Sequence, residues 1–252
     1  MDKKGMARAR EVGDSWLSFA LGQDSRGQTV VGDLETLSHL LIAGRDGTGV
    51  CACVDTLVGS LLCGASPLRV RLILVDTRDG GLSRYGGLSH LLLPLAAAPQ
   101  EALRVLHWVE AEIARRRIFS QVETDGLPPA AIVVVIHELA DLMEAEAKEA
   151  EAALFQIAWT GPRVGVHLIL ATRHISPGVI TGLIKATVPS RIAFSVNSAA
   201  ESRIILDTRG AEQLAVGDEM LYFPRDAGRP FRVQGCFTAG QEGAADGLKK
   251  HP

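Results

Sequence analysis

The chain has 252 residues, 47% of them hydrophobic, with 26 basic against 29 acidic side chains. A formal charge of −3 excludes the strong basic excess that carries autonomous nucleic-acid binding. Four cysteines are too few for a disulfide framework, and no apolar run suggests a membrane span or signal peptide, so one large cytoplasmic domain is expected, without direct membrane insertion.

The polar residues 1–15 read as a flexible N-terminus, residues 16–239 as one domain and the small, charged residues 240–252 as a flexible tail. The first strand is expected at 40–43, inside the segment HLLIAGRDGTGVC from His39 to Cys51. An apolar run leads into Gly44, Gly47 and Gly49, and an apolar helix follows. That is the layout of the phosphate-binding loop G-x-x-x-x-G-K-[ST], whose backbone N–H groups cradle phosphates. The candidate nucleotide-binding positions are therefore Gly44, Asp46, Gly47, Thr48, Gly49, Val50 and Cys51. Val50 stands where the lysine belongs and Cys51 where the Mg²⁺-holding hydroxyl belongs.

The helix after the loop aligns Val54, Leu57, Val58, Leu61 and Leu62 on one stripe and ends near Gly64. A strand at 70–75 comes next, then a helix from Pro99 to Phe119 that turns Leu103, Leu106 and Ile113 to the sheet. Arg115, Arg116 and Arg117 fall in its last turn, where the helix dipole favours a solvated cationic end. Strand 131–136 runs into His137 and Glu138, and a helix then extends to Gly161, with a solvated acidic face over 144–151. Further strands are expected at 166–171 and 191–196, and 220–223 with 231–237 as a C-terminal antiparallel extension. The alternation specifies an α/β fold, a mostly parallel sheet with helices on both faces.

In a nucleoside triphosphatase of this layout, the strand ending at 136 should carry an acidic pair that binds Mg²⁺ and orients water. Here the first acid is His137, and only Glu138 remains. A sulfur at position 51 is equally ill-suited to a hard cation. A unit charge ~4 Å from a phosphate is worth about 4 kcal/mol at an effective dielectric near 20, before desolvation is subtracted. With three ligands altered together, ATP binding is expected to be weak and Mg-ATP hydrolysis impaired. The catalytic candidates are Glu138, as water-orienting base, and Arg173, as a replacement cation from the next strand end. Cys51, His137, Glu138 and His174 should share one sheet edge, but their spacing carries no metal signature, so no metal is assigned. His39, His90, His107 and His167 read as packing or hydrogen-bonding residues, and Cys53, Cys63 and Cys236 as buried thiols.

From Phe19 to about Phe237 the chain resembles the RecA-type motor domain of the FtsK/SpoIIIE DNA translocases. The resemblance rests on ordered segments: ALGQDSRGQTVVGDL, HLLIAG, LILVDTRDGGLSRYGGLSHLL, WVEAEIARRR, VVVIHELADLM, HLILATR, VITGLIKATVPSRIAFSVNS and ESRIILD. It implies a RecA-like P-loop fold that assembles in a ring around duplex DNA and moves it with ATP. Positions matching the family, Asp76, Tyr85, Glu112, Arg115, Arg116, Thr172, Arg191, Arg203 and Asp207, would be scaffold and subunit contacts. The segment 179–189 resembles a channel-facing loop, which makes Lys185 the candidate DNA-phosphate contact. The altered positions are the nucleotide ligands: Val50, Cys51, His137, Arg173 and His174. The resemblance thus implies a pseudo-ATPase that partners translocase subunits or itself, with double-stranded DNA as a possible ligand. The alternatives are a partner-completed DNA translocase and a relative of the secretion ATPases. Neither a membrane anchor nor a winged-helix module is read in the sequence.

Overall fold

The computed structural model describes residues 15–45, 47–78, 81–119 and 129–237. Nine strands form one sheet in the order β2-β1-β9-β8-β7-β3-β6-β5-β4. Its parallel half contains β3 (Leu40–Ala43), β4 (Val70–Asp76), β5 (Ala131–His137), β6 (Val166–Thr172) and β7 (Ser190–Ala193). These strands are continuous runs of Val, Ile, Leu and Ala, as burial on both faces requires. The expected strand 191–196 ends at Ala193, although Phe194 N–H still donates to Ala43 O at 2.8 Å and Ser195 O accepts from Arg45 N–H at 3.0 Å.

The antiparallel half is larger than the sequence suggests. Besides β8 (Glu219–Phe223) and β9 (Phe231–Gly235), it contains an N-terminal hairpin of β1 (Ser18–Asp24) and β2 (Thr29–Asp33). The hairpin turn is built by Asp24, whose Oδ1 accepts from the N–H groups of Arg26 and Gln28 at 2.9 Å each. Gly22 and the register shift beside it interrupt the alternation that marks a strand.

Among the described residues six helices cover the sheet: α1 (Leu34–Leu37), α2 (Gly47–Gly64), α3 (Pro99–Phe119), α4 (Leu139–Thr160), α5 (Gly182–Thr187) and α6 (Ala199–Leu206). One apolar cluster joins Leu106 and Ile113 of α3 and Leu142 and Ile157 of α4 to Ile73, Val134 and Leu168 of the sheet. A second, on the opposite face, joins Val54, Leu57, Val58, Leu61 and Leu62 of α2 to Ile42, Val135, Ile169 and Phe194. α2 is the one described helix whose length and mean hydropathy of 1.4 would permit a membrane crossing, correcting the expectation that no run qualifies; its stripe is buried in this second cluster. Inside α4, Glu146 breaks the helical backbone; Glu144 and Glu149 face solvent as expected, but Glu151 is half-buried and accepts from Thr181 Oγ1.

The outer side of β4 is covered by the segment 88–96. Leu72 N–H donates to His90 O at 2.8 Å, Leu92 N–H to Leu72 O at 2.9 Å and Ala96 N–H to Leu74 O at 3.1 Å. Arg71 clamps this strap through the carbonyls of His90 and Leu91.

At the amino ends of the parallel strands, Arg116 is buried, which overturns the solvated reading of its helix end. Its guanidinium bonds Glu112 Oε1 at 2.8 Å and the carbonyls of Val164 and Ala130 at 2.9 Å each, tying α3 to the entries of β5 and β6. Arg115 remains at the surface, also paired with Glu112. His39 donates from Nε2 to Ala158 O and accepts at Nδ1 from Leu168 N–H, both at 2.9 Å. His90 and His167 bond the carbonyls of Ala65 and Ser38, and His107 is exposed.

Candidate functional site

Register places the altered residues together. Asp76 of β4 pairs with His137 of β5, His137 with Ala171 of β6, and Thr172 of β6 with Ala43 of β3. The carboxyl ends of four adjacent strands therefore face the start of α2, where ligands bind in open parallel sheets.

The phosphate loop is shorter than its sequence layout suggests. α2 begins at Gly47, so Gly47, Thr48 and Gly49 already belong to its first turn. Gly44 and Gly49 have packing roles: a Cβ on Gly44 would lie 2.5 Å from Phe194 Cβ, and one on Gly49 would lie 2.4 Å from Gly217 O. Arg45 is tied to α6 by its 2.8 Å ion pair with Glu201. Asp46 lies outside the described residues. Val50 is fully buried and extends the stripe of Val54, Leu57 and Leu61 one turn further. At the lysine position, then, the side chain belongs to the core.

Cys51 points the other way. Its Sγ lies 3.4 Å from His137 Nε2, and His137 Nδ1 faces Asp76 Oδ1 at 3.5 Å. That separation is long for a hydrogen bond, yet the carboxylate favours a protonated ring both as the acceptor facing Nδ1 and through its charge. Asp76 is held in turn by Leu82 N–H, which donates to Oδ2 at 3.0 Å. Burial opposes charge on His137 most strongly, but Asp76 and Cys51 together outweigh it and raise the imidazole pKa to about 9. The position that should carry an Mg²⁺-binding carboxylate therefore holds a cation at neutral pH.

Glu138 and Arg173 close on each other. Glu138, buried and in a left-handed backbone conformation with φ of 69°, links β5 to α4. Thr172 Oγ1 donates to its Oε1 at 2.7 Å, and Arg173 Nε donates to its Oε2 at 3.1 Å. The Arg173 stem lies against the loop, since a Cβ on Gly47 would meet its Cδ at 3.0 Å. Both catalytic candidates thus share the cleft with the loop glycines, engaged with one another. His174 is exposed, and its N–H donates to Thr172 Oγ1. Among the described residues no group of three or more His, Cys, Asp or Glu side chains is arranged to hold a metal ion.

A nucleotide and its Mg²⁺ fit these residues poorly. The donor set offers an apolar Val50, a sulfur already facing an imidazole and a cationic His137. Sequence reasoning placed Cys51, His137, Glu138 and Arg173 at one edge but missed the link to Asp76. The apolar run ending in Asp76 was the available signal, because strands of equal phase end at the same level.

Lys185, the DNA-contact candidate, lies elsewhere. On α5 its Nζ bonds Asp207 Oδ1 at 2.6 Å, and Asp207 Oδ2 accepts from Arg191 at 2.6 Å, beside the start of β7. Of the other family-matching positions, Tyr85 hydroxyl bonds Asp55, which also pairs with Arg84. Of the cysteines expected to be buried, only Cys53 is; Cys63 and Cys236 end at the surface, where an apolar helix and a strand run out of core to cover them.

Residues 5–129 match the FtsK/SpoIIIE family. The DNA translocase FtsK of Oceanobacillus iheyensis is 40% identical over 264 residues, covering 94% of this chain. The chain belongs to the FtsK/SpoIIIE family. The DNA translocase FtsK of Caldanaerobacter subterraneus subsp. tengcongensis is 41% identical over 241 residues, 90% of this chain. The chain spans about a third of the length of these curated relatives, 34% of each. Among solved structures, the pCW3 conjugation coupling protein TcpA, in monomer form with ATPγS, superposes with a TM-score of 0.74 at 20% identity, covering 94% of this chain and 69% of that one. The cytoplasmic domain of the type VII secretion ATPase EccC from Thermomonospora curvata gives 0.76 at 24% identity, covering 93% and 31%. These two share the fold, a RecA-like P-loop α/β domain.

Proposed function

We propose that this FtsK/SpoIIIE family member is a pseudo-ATPase that acts as a binding or regulatory partner of translocase subunits, or of its own copies, in DNA translocation or transfer. The observation that carries this reading is Val50, buried in the core where an ammonium group would have to reach phosphate. The paired Glu138 and Arg173 and the cationic His137 support it. Losing about 4 kcal/mol of charge attraction would turn a micromolar site into one near ~1 mM. Calorimetric titration with ATP, with and without Mg²⁺, tests this: no saturable binding below ~0.1 mM is expected, and tight binding overturns it. Recovery of an FtsK-type translocase with the protein purified from its own cells would identify the partner.

A second reading is favoured by Glu138, which keeps its place at the end of β5. In it, a neighbouring subunit supplies the missing charge and the assembly hydrolyses ATP slowly. Phosphate release by the reconstituted assembly that disappears in Glu138→Gln would support this reading against the first. The shared fold leaves a role alongside secretion ATPases as a more distant alternative. Contact with duplex DNA through Lys185 remains part of the proposal, with the phosphate competing against Asp207 for the ammonium group.

A further inference from the structure

The altered cleft holds a nucleophile, its acid–base partner and an orienting carboxylate, each on a different element. Cys51 sits in the second turn of α2, His137 at the end of β5 and Asp76 at the end of β4. The sulfur-to-Nε2 distance is 3.4 Å and the Nδ1-to-carboxylate distance 3.5 Å, so the imidazole lies between thiol and acid. Asp76 is fixed by Leu82 N–H and both it and His137 are buried, while Cys51 is half-buried at the mouth. This is an arrangement by which a thiol is activated: a cationic imidazole beside the sulfur favours the thiolate, and a third group holds the imidazole.

We propose that Cys51 is a reactive thiol that undergoes exchange with low-molecular-weight disulfides, with His137 as the cation paired with its sulfur and Asp76 as the positioning residue. In the step, Cys51 Sγ attacks one sulfur of the disulfide as the thiolate paired with protonated His137, its proton already on Nε2. A new S–S bond forms as the old one breaks, and the departing thiolate carries off the bonding pair and takes the proton from Nε2. The balance is one thiol and one disulfide in, one mixed disulfide and one thiol out, with the small disulfide as oxidant. Cationic imidazole next to sulfur stabilises the negative charge during attack. The other cysteines provide internal references: Cys53 is buried, with its thiol pushed up by burial, whereas Cys63 and Cys236 are exposed and lie outside the network.

The inference stands whether or not the cleft admits nucleotide. Its test is exposure of the full chain to oxidised glutathione, with peptide mass spectrometry following glutathionylation at each cysteine over time. Cys51 is expected to react at least ~10-fold faster than Cys63 and Cys236 despite its lower exposure. The His137→Gln variant, checked for native circular dichroism, should reduce the Cys51 rate to that of the reference cysteines or below. Asp76→Asn should lower the rate less, with Asp76→Glu restoring part of it. In wild-type protein, a Cys51 rate no greater than that of Cys63 overturns the proposal without any variant, and so does a rate unchanged in folded His137→Gln.

Discussion

Two buried histidines at opposite ends of the parallel sheet are held in opposite charge states. At the amino end, His39 uses both ring nitrogens on backbone groups, and burial drives its pKa down to about 4. At the carboxyl end, His137 is just as shielded but faces Asp76 and Cys51, and its pKa rises to about 9. Burial alone neutralises an imidazole, and a neighbouring carboxylate reverses the outcome. The amino end is organised around satisfying backbone groups, whereas the carboxyl end is organised around side-chain charge. The altered residues of this family member all lie in the second region.

The largest expected effect lies in the first region. Arg116→Ala would leave Glu112 without its buried partner and two carbonyls without donors, at a cost of about 4 kcal/mol in urea denaturation. A loss below ~1 kcal/mol would break the view that the amino end is the structural anchor.

The two histidines predict two limbs of stability against pH. His137 has a folded pKa above its ordinary value of 6.5, so its contribution is complete below pH 6.5 and lost as pH rises through about 9. That contribution amounts to about 3 kcal/mol, and the alkaline limb should flatten in His137→Gln. His39 has a depressed folded pKa, so its similar contribution is present above pH 6.5 and lost as pH falls through about 4. Imidazole NMR titration sharpens the comparison: the His39 resonance should hold its neutral position down to about pH 5, and the His137 resonance its charged position up to about pH 8. Coincident midpoints near 6.5 for both would erase the contrast.

The smallest effect belongs to Lys185. Its ion pair with Asp207 is partly exposed, so Lys185→Ala should cost under ~1 kcal/mol of stability. Gel retardation of duplex DNA should nevertheless weaken in this variant, with a reduced salt dependence. Unchanged retardation would remove Lys185 from the proposed DNA contact.

The parallel half of the fold was legible because its strands are unbroken apolar runs, and the ends of 70–75, 131–136 and 166–171 fall within a residue of those observed. The hairpin of β1 and β2 was not, since glycines and a register shift erase its alternation while its partners lie more than 200 residues away on β9. Charge patterns misled at Arg116, because a basic run at a helix end looks the same whether water or backbone carbonyls receive it. In the cleft, the substitutions at Val50, Cys51 and His137 were visible, but their meaning depended on direction: Val50 turns inward and Cys51 outward, a rotation that a one-residue step along a helix imposes.

The strap over β4 closes one edge of the sheet. Its carbonyl and amide groups occupy the ladder positions that a foreign strand would need, and Arg71 fastens it there. A foreign strand would find the backbone groups of Leu72, Leu74 and Asp76 already engaged, so β4 is guarded against strand-by-strand polymerisation.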